Sequence, residues 1–215
     1  MMKKSFLVIG LGSFGQSVAT TLYSLGHEVL GIDMNEDIVQ MISNNVTYAV
    51  EGDCRDESIL RSLGVRNFDV AVVTIGQDME SSILITVTLK DLGVEYVVAK
   101  ARNAIHAKIL SKVGADKVIF PERDMGYRVA HSLSDSNFVD FLELSDNYSV
   151  VEINCPQIWI GKRICEMDIR GKYGLNILAI KNGNDINISP DPQDVFTEKD
   201  VLIVIGANDD LNKLV

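Results

Sequence analysis

The residues from Ser5 to Gly15, SFLVIGLGSFG, restrict the fold more than any other part of the chain. Phe6 to Ile9 is an apolar run of strand length. It leads into Gly10-x-Gly12-x-x-Gly15, and Phe14 to Leu25 continues as an amphipathic run at helical spacing. In a strand–turn–helix unit these glycines have separate duties. Gly10 makes a tight turn, Gly12 lets an anion approach the backbone, and Gly15 lets the helix close on the strand. The first turn of the helix, with Ser13 and Phe14, then offers N–H groups and the positive end of its dipole to a phosphate. Asp33, eighteen positions after Gly15, closes a second apolar strand, Glu28–Asp33. A carboxylate there accepts hydrogen bonds from ribose hydroxyls and repels a 2′-phosphate.

Strand and helix keep alternating downstream. Thr47–Val50, Asp69–Ile75, Tyr96–Lys100 and Lys117–Phe120 read as four more strands, apolar almost throughout. Helical runs separate them at 38–42, from Asp56 to Leu63, at 78–92 and at 103–113. Six such alternations predict an α/β fold, a Rossmann-like doubly wound parallel sheet with helices on both faces. Ligands of such sheets bind at the carboxyl ends of the strands. Asp53 and Cys54 follow the third strand on that edge, and Lys100 and Arg102 end the fifth. Asp53 reads equally as a ligand contact and as a turn residue that starts a helix. Lys100 and Arg102 read equally as phosphate partners and as solvated charges. The Cys54 thiol suits a small packed side chain better than a reactive one.

The pattern changes after Phe120. Pro121 to Ser134 is a further helical run with Met125, Val129 and Leu133 on one stripe, and residues 137–144 hold a second short apolar run. From Tyr148 the reading turns to strands at 149–154, 175–181, 186–189 and 201–205, with one short helix near 161–166. The predicted organisation is a nucleotide-binding domain at 1–121, crossover and dimerisation helices at 122–144, and a small α+β C-terminal domain at 145–215.

Composition excludes several classes. The net charge of −10 argues against binding a nucleic acid polymer, which needs phosphate neutralisation. Three cysteines without a CxxC pair fit a reducing, cytoplasmic compartment. No secretory signal is visible, and no apolar run approaches the roughly 20 residues that span a bilayer. The three histidines lack metal-ligand spacing. Ser13 has Leu11 rather than glycine two residues before it, so it is no nucleophile elbow. The chain has no phosphate-binding loop of the GxxxxGK[ST] kind.

With these parts in order, the sequence resembles the RCK/KTN family, cytosolic gating proteins of Ktr- and Trk-type potassium transporters. The residues that carry the resemblance are VIGLGSFG, Gly52-Asp53, FPERDMGYRVAH at 120–131, DIRGKYGLNILAIK at 168–181 and DVLIVIG at 200–206. A single copy of each module is similar to the small regulatory subunit of the Ktr type. The resemblance implies ATP or ADP in the first domain, held by Gly10, Gly12, Ser13, Phe14, Gly15, Asp33, Asp53, Cys54, Lys100 and Arg102. It implies a divalent cation, Mg2+ or Ca2+, at Glu122 beside the phosphates. Many members carry arginine where this chain has Ser13. It further implies cyclic di-AMP in the C-terminal domain. Ile164, Ile169, Ile177 and Pro190 would then serve as an apolar shelf, with Asp168, Arg170 and Asn176 as polar contacts. It implies a homodimer that assembles into a homo-octameric ring, docked on a separate membrane potassium transporter subunit at the inner face of the cell membrane.

The resemblance implies a regulator rather than an enzyme. The glycine fingerprint alone admits NAD or NADH equally, so two other functions stay open: an NAD(H)-binding redox sensor and a small NAD-dependent dehydrogenase. Against the dehydrogenase, no histidine follows His131 to serve a substrate domain as acid or base.

Overall fold

A computed structural model describes residues 3–134, 138–145, 147–211 and 213, and these divide after Pro121 into two units. In the first unit the elements run β1 (Ser5–Ile9), α1 (Ser13–Ser24), β2 (Glu28–Asp33), α2 (Glu36–Ile42), β3 (Tyr48–Glu51), α3 (Glu57–Ser62), β4 (Val70–Val73), α4 (Met79–Asp91), β5 (Tyr96–Lys100), α5 (Ala104–Lys112) and β6 (Lys117–Ile119). All six strands are parallel, in the order β3-β2-β1-β4-β5-β6. This is the doubly wound sheet read from the sequence.

The strand composition follows from burial on both faces. Leu7, Ile9, Leu30, Ile32, Ala71, Val73, Val97 and Ala99 point into one core, and Val8, Val29 and Val72 into the other. A strand that meets apolar packing on each side has no place for alternating polar residues. The order reverses between β1 and β4, which opens a crevice at their carboxyl ends.

Helix starts are fixed by short polar side chains. Asn35, Asp56, Asp78 and Asn103 each accept a backbone N–H from the first turn of α2, α3, α4 and α5. Each such cap is worth about 1 kcal/mol. The start of α1 differs: its cap residue is Gly12, with no side-chain hydrogen bond, and no acidic residue lies in its first turn. The helix closes on the sheet at Gly15. A Cβ there would collide with the Gly10 carbonyl oxygen and lie 2.6 Å from Thr74 Oγ1, whereas a Cβ on Gly12 would meet nothing within 4 Å.

The second unit opens with α6 (Pro121–Ser134), on which Met125, Tyr127, Val129 and Leu133 are exposed, Leu133 by 80%. Next come β7 (Phe138–Ser145), β8 (Tyr148–Asn154), α7 (Ile164–Met167), α8 (Ile169–Tyr173), β9 (Asn176–Asn182), β10 (Asp185–Asn187), β11 (Asp200–Ala207) and α9 (Asn208–Leu211). The sheet is antiparallel, in the order β10-β9-β11-β8-β7. Trp159 is fully buried at its centre, with its ring 5.2 Å from Tyr173 and 5.5 Å from Phe196. Val151, Ile153, Leu175, Leu202 and Val204 complete that core.

Two expectations need correction. The apolar run at 137–144 predicts a second crossover helix; residue 137 lies outside the described residues, and 138–145 are β7. Apolar residues at 138, 141 and 142 mimic helical spacing. A short link to β8 instead lets the backbone pair as a hairpin from Phe138↔Ile153 to Ser145↔Tyr148. The C-terminal sheet therefore begins before residue 145. The single helix expected near 161–166 is two short helices, α7 and α8. Between them Asp168 takes a left-handed conformation at φ 47° and accepts the Gly171 N–H.

The glycine geometry predicts that Gly15→Ala destabilises the first unit by about 3 kcal/mol, because the new methyl meets backbone that cannot swing away. Gly12→Ala, facing open space, should leave stability unchanged. Urea unfolding of the two variants checks the contrast.

Candidate functional site

The carboxyl edge of the parallel sheet brings most of the predicted nucleotide-site residues together. Gly10 turns out of β1 at φ +88°, a conformation that favours glycine. Its carbonyl accepts the Thr74 hydroxyl, which also reaches the Ile9 carbonyl at 3.1 Å. One threonine at the end of β4 thus pins the turn at the switch point. Leu11 tucks over Gly31, where a Cβ would lie 3.2 Å from its side chain. Ser13 is exposed at the first position of α1, and Phe14 is half-buried behind it.

Asp33 is tied into the glycine loop. Its Oδ2 accepts the Leu11 N–H at 2.6 Å, and its Oδ1 accepts the Asn35 N–H at 2.9 Å. Each oxygen has a second lone pair, so the carboxylate can hold the loop and still accept from ribose hydroxyls. Asp53 is engaged by Arg55. Nε donates to Oδ1 at 2.9 Å and to Oδ2 at 3.0 Å, and Nη2 donates to Oδ2 at 2.6 Å. The guanidinium beside it holds the Asp53 carboxyl below its ordinary value. Both groups are exposed, so the pair orients Asp53 more than it stabilises the fold.

Cys54 lies beneath this edge in the core, 4% exposed. Burial pushes its thiol up to about 12, with the Asp53 and Asp33 charges adding in the same direction. It is a packed, protonated side chain. Lys100 leaves the end of β5 and runs over Gly76, and its Nζ stands 5.9 Å from the centroid of the Phe14 ring. Arg102 is exposed, and its backbone N–H donates to Nδ1 of the fully buried His106 at 3.2 Å. Burial lowers the His106 pKa and keeps that ring neutral.

Three residues of this edge were missed from the sequence: Thr74, Gly76 and Arg55. Thr74 and Gly76 interrupt the apolar run VAVVTIG, and Arg55 stands two positions from Asp53. Those were the available signals. An apolar groove of about 410 Å³ lies elsewhere, around the starts of β2 and β3. Glu28, Tyr48, Leu63 and Phe68 line it, and it includes none of the predicted residues.

In the second unit, Arg170 Nε donates to Asn176 Oδ1 at 2.7 Å, so two of the predicted polar contacts are joined. Asp168 caps α8 beside them. Ile164 and Ile177 are half-buried against the core, Pro190 is half-buried and Ile169 is 7% exposed within the core. In one chain Ile169 therefore packs the interior and presents no open shelf. Glu122 is exposed at the second position of α6. Among the described residues no group of three or more His, Cys, Asp or Glu is placed to hold a metal ion. A single carboxylate is not a donor set for a cation.

The two units correspond to known domains. The TrkA-N domain model matches residues 6–121, and the TrkA-C domain model matches residues 149–215. Ktr system potassium uptake protein C of Bacillus subtilis (strain 168) is 46% identical over 212 residues, which span 99% of this chain and 96% of that protein. The chain belongs to the RCK family. Ktr system potassium uptake protein A of the same organism is 43% identical, over 98% of this chain and 95% of its own length. The crystal structure of the GsuK RCK domain shares the fold at a TM-score of 0.69 and 20% identity, covering 99% of this RCK chain and 47% of that one.

The thiols give a test of the packing at this edge. Cys155 is also buried and pushed up to about 11, while Cys165 is exposed. At pH 8 iodoacetamide should label Cys165 and spare Cys54 and Cys155 until the protein unfolds. Their raised values contribute stability that is present below the unfolded thiol value of about 9 and is lost as pH rises toward 12. The urea midpoint should therefore fall above pH 9, less steeply in Cys54→Ala.

Proposed function

We propose that this chain is the regulatory subunit of a Ktr-type potassium uptake system, binding ATP and ADP at the carboxyl edge of its first unit. The observation that carries the reading is the start of α1: an uncapped helix terminus without acidic neighbours, behind Gly12 and beside Asp33. Such a terminus favours a phosphate, and Asp33 favours a ribose with a free 2′-hydroxyl. High identity along the full length of two Ktr system proteins supports the potassium-uptake role.

The chain acts in this reading as a homodimer that builds an octameric ring on a separate membrane transporter subunit. No helix among the described residues is long and apolar enough to cross a membrane. The exposed apolar stripe of α6 supports self-association. Regulation needs different affinities of the nucleotide for two ring states, and a coupling of about 1–3 kcal/mol is the usual scale. No hydrolysis is required. Cyclic di-AMP binds the second unit, with Arg170 and Asn176 toward its phosphates and Ile164, Ile177 and Pro190 as apolar surfaces. A guanidinium pairs two-pronged with phosphate oxygens, and a two-fold ligand suits a site shared by two identical units.

Calorimetry on the full-length protein with ATP, ADP, NAD, NADH and cyclic di-AMP tests this. ATP and ADP should bind the parent and fail to bind Gly12→Val, in which the branched side chain blocks the backbone. Cyclic di-AMP should bind at one molecule per two chains and be lost in Arg170→Ala, which keeps its ATP affinity. Binding of NADH in preference to ATP would replace this reading with a redox sensor. Light scattering at micromolar concentration should give an assembly larger than a monomer.

A further inference from the structure

Gly76 lies in the loop between β4 and α4, and its missing side chain is used. A Cβ built there would stand 3.1 Å from Lys100 Nζ and 3.3 Å from Lys100 Cε, so the end of the lysine crosses directly over the glycine. Gly76 has no positive φ, so its backbone does not require glycine; the space does. On another side of the same ammonium lies the Phe14 ring, 5.9 Å away at its centroid, within the range of a cation–π contact. Phe14 is the second residue of α1. Lys100 ends β5, and β4 separates β5 from β1. The lysine therefore carries a positive charge from β5, over Gly76 after β4, toward the Phe14 ring in the first turn of α1. Position 13, nearer the helix start, has a neutral serine.

We propose that Gly76 and Phe14 are positioning residues that hold the Lys100 ammonium at the phosphate end of α1. Lys100 then meets the β- and γ-phosphates, and the three residues together set how strongly the site prefers longer phosphate chains. This deepens the nucleotide reading of the first unit and rests on it. The physical logic has two parts. A lysine tail free in solvent loses rotamer freedom when it binds phosphate, and a tail already lying on Gly76 and Phe14 has lost much of it beforehand. An ammonium beside a helix N-terminus also adds to the dipole rather than competing with it, because both attract the same anion. A methyl at position 76 moves the ammonium by tenths of an ångström. A branched side chain there displaces it altogether.

The experiment is calorimetric titration of the full-length parent, Lys100→Met, Gly76→Ala, Gly76→Val and Phe14→Leu with AMP, ADP and ATP at two salt concentrations. Melting of each variant without nucleotide reports on folding. Lys100→Met should weaken ATP about tenfold, the size of one charge-assisted hydrogen bond, and leave AMP unchanged. Gly76→Ala and Gly76→Val should weaken ATP in graded steps, again sparing AMP, and Phe14→Leu should do so mildly. The salt dependence of ATP binding should shrink in Lys100→Met and Gly76→Val, because one paired charge is gone or displaced. Gly76→Val should add no further loss in the Lys100→Met background. Equal losses for AMP and ATP in the Gly76 variants would reduce them to a structural role and overturn the proposal. So would unchanged ATP affinity in Lys100→Met, or a Gly76→Val effect that survives without Lys100. A parent that binds none of the three nucleotides would overturn the nucleotide reading itself, a result distinct from normal binding without the AMP–ATP split.

Discussion

The carboxyl edge of the first unit depends on one contact, the approach of α1 to the turn that leaves β1. Only the hydrogens of Gly15 separate the helix backbone from the Gly10 carbonyl, and the Thr74 hydroxyl holds that carbonyl from the β4 side. β1 and β4 flank the point where strand order reverses, so this small cluster sits at the crevice that the reversal opens. It also aims the first turn of α1. Four other helices of the unit have that turn satisfied by Asn or Asp caps, while α1 has Gly12. The fold thus leaves donors unpaired where backbone, dipole and open space coincide.

Charge at this edge is arranged locally and against the overall balance of the chain, which is −10. Asp33 serves the backbone of the loop while retaining lone pairs, and Asp53 is gripped by Arg55. The exposed Asp53–Arg55 pair adds little stability, because solvent screens it. What the two arrangements provide is orientation: two carboxylates fixed at the edge, with the Lys100 ammonium lying over Gly76 and near the Phe14 ring. The packed Cys54 thiol beneath resists ionisation partly because both carboxylates are close.

The second unit solves a different problem, that of a small sheet needing a core. Trp159, Tyr173 and Phe196 supply large apolar area from outside the strands and fill the space behind one sheet face. The polypeptide between β8 and β9 is consequently folded tightly, with α7 and α8 joined through the left-handed Asp168. That turn is locally costly, by about 1–2 kcal/mol for a residue with a side chain. It places Asp168 as the cap of α8, next to the Arg170–Asn176 pair.

The sequence by itself determined the parallel sheet, because both-sided burial leaves a nearly continuous apolar strand and the glycines mark the turn between strand and helix. It also determined the positions of Gly10, Gly12, Gly15 and Asp33, whose roles follow from backbone geometry within one strand–turn–helix unit and the next strand. It misread 138–145, where apolar spacing fits a helix, because a strand is chosen there by pairing with β8, a non-local hydrogen-bonding partner. Tertiary structure alone decided that Thr74 would clamp the Gly10 turn and that Lys100 would lie across Gly76. It also decided that Ile169 would be spent on the core. Local pattern carries the period of an element and the conformation of a glycine. It carries no record of which side chain from a distant strand will fill the space that a glycine leaves, since that depends on how the sheet twists and on what packs above it.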